Sequence, residues 1–569
     1  MTAPEHLADL PQAAREAVST VAAAPTVPAK LLVSGGIGTG KSSVLGAIRT
    51  ALREAGQAVL TRPPRPGDPA EVAYVVDDAH LLDDDEIDRL TERVADPAST
   101  VVVATEALAH HRSLGILMTA LERENPVLQL GTLPAPELHR ILTAAAGAPA
   151  PTETVRSVLT VTAGLPFLVR AVADSAAAPE DAARFALVER LHRMDERTRD
   201  ALLITSLSLE LGADDVAAAL HLSGADALTL VDRARASGLV EPSYDRRFLG
   251  LVHAGIAQIV GTARHHDIET SLLRSQLELS TLSAELAVRL AEHGMRDDRL
   301  ADALTEQATR VHGQPARAAR LYRAAAKAGS AAVSGRLADA LALTGDCTTA
   351  GRMADELLGS RDPAERAAAV RIAASIAMHD GSAAQAADLF RWLGPYPDAL
   401  ISSAGAVVSV AAGDLAAARA ALGAEHTGPP TSTARAAHSL ADGLLRSLDQ
   451  PFAATVARLG QSITAEQHAL GVAPDTPAAL MTLTALHGGD SVRARSVIKR
   501  AVQAGSDEAS FSTHRHRLLL GWVRMQDGQL GAAAADASAA DSGGVLHRRD
   551  ALWAAALMTL TALHGGDSV

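Results

Sequence analysis

Aromatic side chains are scarce in this 569-residue chain: Phe, Tyr and Trp together make up 2% of it. Large rings therefore cannot fill its cores, which must be built from Ala, Leu and Val on closely packed helices. The single cysteine, Cys347, excludes an internal disulfide and fits a reducing compartment, where a lone thiol in a helical stretch is a structural residue. Positive charge is also short. Against 66 acidic residues stand 52 Lys and Arg, a net charge of −14, which argues against non-specific attraction to nucleic acid or an anionic membrane. No uncharged apolar run approaches the roughly 18 residues a membrane span needs. Residues 1–10 hold two acids and a proline instead of the basic-then-apolar pattern of a secretory leader. A cytoplasmic protein with no membrane partner is expected. With 48% apolar residues the chain can bury substantial cores, and its length implies roughly three to five domains.

What is present is concentrated first at Gly35-Gly36-Ile37-Gly38-Thr39-Gly40-Lys41-Ser42, which fits G-x-x-x-x-G-K-[ST] at every fixed position. Residues 30–34 read as a buried strand entering this loop, and 43–55 as the helix leaving it, so Ser43 opens that helix. Glycines let the backbone N–H groups close around a phosphate chain, and the helix N-terminus adds partial positive charge. Lys41 suits the β- and γ-phosphates, and the Ser42 hydroxyl suits Mg²⁺.

Further strands are expected at 58–61, 72–76, 100–105 and 127–131, with helices after the phosphate loop, after Asp83 and after Ser113. That alternation predicts a parallel sheet with crossover helices. The third strand runs into Asp77-Asp78-Ala79-His80. Asp77, on a strand expected beside the phosphate-loop strand, suits Mg²⁺ together with Ser42, and Asp78 suits a general base for an attacking water. The acids at 83–86 read as a helix cap and dipole partners. A helical stretch then carries Gly164-Leu165-Pro166. Residues 187–260 predict three helices closed by a two-strand element at 237–242 and 248–253, a winged helix. Eight arginines against eleven acids there favour a structural role over DNA binding. By itself His253 is a satisfied core histidine or a functional one.

Beyond residue 261 no strand is expected, and a repeat emerges. Gly313, Gly345, Gly381, Gly413, Gly489, Gly528 and Gly566 sit in short polar breaks at spacings of 32, 36, 32, 76, 39 and 38, the longest holding a degenerate break at Asp449-Gln450-Pro451. Five residues on stand Ala318, Ala350, Ala386, Ala418, Ala494 and Ala533, and four further Tyr322, Ala354, Phe390, Leu422, Ile498 and Ala537. This predicts stacked helical hairpins of the tetratricopeptide kind, which bind partners on a concave face. Residues 555–569 repeat 478–492 without a difference. The last hairpin is thus expected to lack its second helix, leaving an apolar face for another chain or marking a shortened product.

In this order the parts resemble the signal-transduction ATPases with numerous domains (STAND), and among them the large ATP-binding regulators of the LuxR family. Residues 30–80 carry the specific motifs of that resemblance. It implies a P-loop module, a helical lid, a winged helix and a helical-repeat sensor. In the family a Gly-x-Pro proline packs near the adenine, here Pro166, and a winged-helix histidine touches the β-phosphate of ADP, here His253. Three departures stand out. The connection at 62–71 is short; Ala104-Thr105-Glu106 replaces a Thr-Ser-Arg type of γ-phosphate sensor, with Arg112 as a substitute; and no helix-turn-helix follows Gly528.

The expectation is therefore a multidomain, mostly α protein: an N-terminal helix and linker (1–28), an α/β P-loop NTPase core (29–133), a helical lid (134–182), a winged helix (183–262) and a TPR-like α-solenoid (263–569). The resemblance implies an ATP/ADP-controlled switch in transcription regulation with slow hydrolysis. ATP or ADP with Mg²⁺, an inducer or protein partner on the repeats, and an ATP-dependent homo-oligomer are its implied partners. DNA enters only through an output domain supplied elsewhere. The competing expectation is a helical-repeat scaffold with a structural nucleotide site. The nucleotide-binding set is Gly35, Gly36, Ile37, Gly38, Thr39, Gly40, Lys41, Ser42, Ser43, Pro166 and His253.

Overall fold

The computed structural model describes residues 11–69, 71–311, 313–425, 429, 431–463, 471–504, 512–541 and 546–565. The expectations for residues 1–10, for Gly566 and for the end of the 555–569 repeat lie outside the described residues. The chain divides into two compact units, one ending at Leu286 and one beginning at Ala287.

In the first unit, helix α1 (Gln12–Ala23) precedes five strands: β1 (Lys30–Gly35), β2 (Ala58–Leu60), β3 (Val72–Val76), β4 (Val101–Thr105) and β5 (Leu128–Leu130). All pair in parallel in the order β2-β3-β4-β1-β5. The strands are apolar at nearly every position because both faces of the sheet are covered. Val33, Val75, Val102 and Ala104 point toward α1 and α2 (Lys41–Glu54), against Val18, Val44 and Ile48. Leu32, Tyr74, Val76, Val101 and Val103 point the other way, onto α3 (Asp84–Ala95) and α4 (Arg112–Glu124), against Ile87, Leu90, Leu114, Leu117 and Leu121. Successive residues point to opposite faces, so an unbroken Val run fills two cores.

The acids before α3 form the expected helix cap. Asp83 accepts from the Glu86 N–H at 2.8 Å, and the Glu86 carboxylate accepts from the Asp83 N–H, a reciprocal cap. The described residues of the short 61–71 connection are turn and irregular structure, held by a bidentate Arg62–Asp68 pair with contacts of 2.6 and 2.9 Å.

One topological expectation needs correction: β3 does not adjoin β1. Strand β4 lies between them, paired through Leu32 with Val103 on one side and Val75 with Val102 on the other. The residue following β4 is therefore placed between the phosphate loop and Asp77.

After the sheet come α5 (Ala135–Ala146), α6 (Thr152–Thr162), α7 (Pro166–Ala173), α8 (Pro179–Leu191), α9 (Glu196–Leu207), α10 (Ala213–Leu220), α11 (Gly224–Ala236), α12 (Arg246–Val260) and α13 (Thr262–Glu278). Here the expected wing is overturned. Residues 248–253 are helical, inside α12, and 237–242 form a turn. Asp245 caps α12 by accepting from the Arg247 N–H, and Phe248, Leu249, Leu251, Val252 and Ile256 are buried along one helical stripe. Their 3–4 spacing outweighed Gly250, which made a short strand look plausible.

The second unit consists, among its described residues, of helices. Antiparallel neighbours include Ser334–Leu343 with Cys347–Leu358, Pro363–His379 with Ala383–Leu393, Ala399–Ala411 with Leu415–Leu422, and Pro477–His487 with Ser491–Ala504. The degenerate break separates Ser432–Arg446 from Phe452–Ile463, as the spacing requires. Gly345, Gly381, Gly413, Gly489 and Gly528 take φ between 77° and 93°, a left-handed turn that glycine adopts without strain. Ala350, Ala386, Ala418, Ala494 and Ala533 are each fully buried, where neighbouring helices come close. Burial pushes the Cys347 thiol up to about 12, so it is no nucleophile at neutral pH.

Candidate phosphate-binding site

The site grows from the end of β1. Gly40 takes φ 103° and hands the chain to α2 at Lys41, so the loop curls over the helix N-terminus. A Cβ on Gly35 would lie 2.6 Å from the Leu130 carbonyl, and one on Gly38 would lie 2.1 Å from the Phe167 ring. Packing thus requires glycine at both positions, and at Gly38 a φ of 71° does so as well. Thr39 donates to the Gly36 carbonyl at 2.9 Å and ties the loop across its base.

A cavity of about 330 Å³ opens over the loop. Its wall holds Gly36, Gly38, Gly40, Lys41, Ser42 and Ser43 from the loop, Asp78 and Glu106 from the sheet ends, and Pro166, Phe167, Arg170 and Arg190 from α7 and α8. The expected residues Gly35 and Thr39 line a neighbouring cleft with Gln129, Arg235 and Tyr244. Asp77 is half-buried and turned so that its carboxylate accepts from the Asp78 N–H at 2.9 Å.

Charge in the cavity is balanced at close range. Lys41 Nζ donates to the Gly35 and Gly36 carbonyls at 2.7 and 2.8 Å and stands 3.7 Å from Glu106 Oε1. Burial lowers the Lys41 pKa, and the Glu106 carboxylate opposes that shift. Burial raises the Glu106 pKa against the pull of Lys41. Asp78 is raised by burial first and by its neighbour Asp77 second. His80 accepts at Nδ1 from the Glu106 N–H at 3.3 Å, and burial, assisted by Lys41, lowers it to about 4. It is neutral at physiological pH, with its other nitrogen 3.9 Å from Glu106 Oε2.

Above the loop, the Ile37 N–H donates to the Ser237 carbonyl at 2.7 Å. A Cβ on Gly36 would meet that same carbonyl at 2.5 Å, and Gly238 packs on the Gly36 Cα. Ser237 is fully buried, its hydroxyl donating to the Ala234 carbonyl at 2.6 Å, so this turn is rigidly built on the end of α11.

His253 does not belong to this cavity, which corrects its expected place at the β-phosphate. It lies on the inner face of α12, 4% exposed, with Nδ1 3.1 Å from both the Leu203 carbonyl and Ser206 Oγ of α9. In a helix rather than a wing, it is directed into the helical layer. Arg112 also lies elsewhere, on a separate cleft with His110 and Asp232. Glu106, Phe167, Arg170, Arg190 and Ser237 were not singled out from the sequence as site residues. Glu106 alone carried a usable signal, since it follows β4 as Asp77 follows β3.

The fit to a nucleotide rests on these features. Backbone donors, Lys41 and two arginines suit phosphate, and the oxygens of Ser42 and Asp77 are the donor type Mg²⁺ takes. No family model matches the chain, and no curated protein matches it. Among solved structures it is similar to a STAND protein with a tetratricopeptide repeat sensor from Pyrococcus horikoshii, at 14% identity over 97% of this chain and 85% of that one, with a TM-score of 0.35. It is also similar to the Holliday junction branch migration motor RuvB of Thermotoga maritima, at 18% identity over 38% of this chain and 83% of that one, with a TM-score of 0.27. At TM-scores this low neither likeness carries weight for function. No described helix is long and apolar enough to cross a membrane.

Proposed function

We propose that this chain is an ATP/ADP-controlled switch of the STAND kind, with slow ATP hydrolysis. The observation that carries the reading is the contact of Ile37 with Ser237: a backbone donor of the phosphate loop is held by a carbonyl from outside the P-loop core. A γ-phosphate and the Ser237 carbonyl compete for that donor. The closed arrangement then suits ADP, and release of the 237–242 turn suits ATP.

In the open state Lys41 turns from the Gly35 and Gly36 carbonyls to the phosphates, while Arg170 and Arg190 face them across the cavity. Pro166 and Phe167 supply apolar surface for the base. Ser42 and Asp77 hold Mg²⁺, which when bound offsets charge on the phosphate oxygens. Asp78 takes the proton of the attacking water, a role its raised pKa favours. The helical second unit serves as the sensor for an inducer or protein partner. Opening allows an ATP-dependent homo-oligomer. A part in transcription, in the cytoplasm, follows from the LuxR-type resemblance and takes DNA only through an output domain supplied elsewhere.

A full switch from about 1:99 to 99:1 needs roughly 5.5 kcal/mol of differential binding, whereas ligand at ~1,000 times its dissociation constant supplies about 4 kcal/mol. ATP together with one partner is sufficient; ATP alone is not.

One observation favours the alternative of a scaffold with a structural site: the Glu106 carboxylate faces the phosphate space. Denaturing chain purified without added nucleotide, then identifying what is released, separates the two. About one ADP per chain supports the switch. An empty chain that also fails to bind added ATP rejects it.

A further inference from the structure

We propose that His253, His265 and Glu269 form a binding site for one divalent transition-metal ion of the zinc class. His265 and Glu269 are four residues apart on α13 and so share one helical face, and His253 meets them from α12. His265 Nε2 lies 3.1 Å from His253 Nε2 and 3.0 Å from Glu269 Oε1, and the third side of the triangle, His253 Nε2 to Glu269 Oε1, is 3.6 Å. Four-coordinate zinc with bonds of about 2.0–2.1 Å sets its donors roughly 3.3 Å apart. The three donor atoms already stand at that spacing.

The protonation pattern fits. A carbonyl only accepts, so the contact of His253 Nδ1 with the Leu203 carbonyl requires the proton on Nδ1. The Ser206 hydroxyl donates to that same carbonyl at 2.9 Å, which leaves its oxygen as a second acceptor for the ring N–H. The lone pair of His253 is therefore on Nε2, facing His265 and Glu269. A ligating histidine whose other nitrogen donates to a backbone carbonyl is the usual support of a metal-bound imidazole. The side chains of His253 and Glu269 are 5% and 3% exposed and that of His265 is 17% exposed, so the site is dry but reachable from one side.

A buried carboxylate beside two imidazoles offers a dication one anionic and two neutral donors. Imidazole donors select zinc, cobalt or nickel over magnesium and calcium. Bound there, the ion would join α12 to α13, and through the His253 Nδ1 contact to α9. It is independent of the nucleotide reading, since no residue of the phosphate cavity takes part.

The test uses the full chain, stripped with a chelator, dialysed and titrated with Co²⁺. The expected result is a visible d–d band saturating at one ion per chain, displaced by Zn²⁺, with zinc raising the melting temperature. His265→Ala and Glu269→Gln should lose the band while keeping the far-ultraviolet circular dichroism of the parent. Ser206→Ala, which removes only a support of His253, should weaken affinity about tenfold. If His265→Ala fails to fold, His265→Asn with Glu269→Gln gives the same reading. Absence of the band in the parent chain, or an undiminished band in both ligand variants, overturns the proposal.

Discussion

Lys41 Nζ stands 3.7 Å from Glu106 Oε1, so the cation expected to hold phosphate faces an anion in the same cavity. Burial raises the Glu106 pKa, and its carboxylate takes up a proton at higher pH than an ordinary glutamate. Below that value one negative charge leaves the cavity, so nucleotide binding tightens as pH falls through it and weakens as pH rises above it. Glu106→Gln removes the charge at every pH. It should tighten ADP binding about tenfold at pH 7, on the scale of a partly screened charge pair, and flatten the pH dependence relative to the parent. Fluorescent-ADP titration from pH 5 to 8 measures both. Equal affinity and equal slope would show that Glu106 does not act on the phosphates.

The turn that holds Ser237 depends on Gly238, whose φ is 69° and whose missing Cβ would stand 3.2 Å from the Gly36 Cα. Gly238→Ala places a side chain in the left-handed region at a cost of roughly 1–2 kcal/mol, which weakens the hold on Ile37. ATP affinity should rise about tenfold and ADP affinity by less, because only the γ-phosphate competes for that N–H. Parallel calorimetric titrations with the two nucleotides check the difference. A uniform change in both would detach the contact from the switch.

Asp78 is expected to take the proton of the attacking water. Asp78→Asn should retain ATP binding and lower steady-state hydrolysis by about 100-fold, within the range for loss of a general base. Undiminished phosphate release would pass the role to the other carboxylate of the cavity, Glu106.

In the second unit the buried alanines are read as spacers between helices. Ala350→Leu forces extra volume into a fully buried crossing and should cost about 1–3 kcal/mol. Ala364 is exposed in the first turn of its helix, and Ala364→Leu there should be close to neutral. Thermal unfolding of the two variants side by side tests the repeat assignment. Equal melting temperatures would contradict it.

Local patterns made much of this legible. Strands β1, β3 and β4 coincide with the apolar runs to within a residue, because a strand covered on both faces is apolar at successive positions. The breaks at Gly345, Gly381, Gly413, Gly489 and Gly528 were readable because a left-handed turn selects glycine. Pairing order was not, since nothing in β3 records that β4 would separate it from β1. Ser237 and Arg190 reach the site only through tertiary packing and leave no periodic trace, whereas Glu106 is marked by its place directly after β4. The 248–253 segment was misread because six residues are too few to distinguish a strand from a helix, and His253 was displaced from its expected role with it.

If the loop at 35–42 holds the phosphates of a nucleotide through Lys41, loss of that ammonium must abolish tight binding. Binding of fluorescent ATP to the parent chain and to Lys41→Ala, with folding checked by circular dichroism, tests it most directly. The expected result is measurable Mg²⁺-dependent binding to the parent and a loss of about 100-fold or more in the variant, the scale of removing a buried charged hydrogen-bond partner. Equal affinity in the two proteins would contradict it.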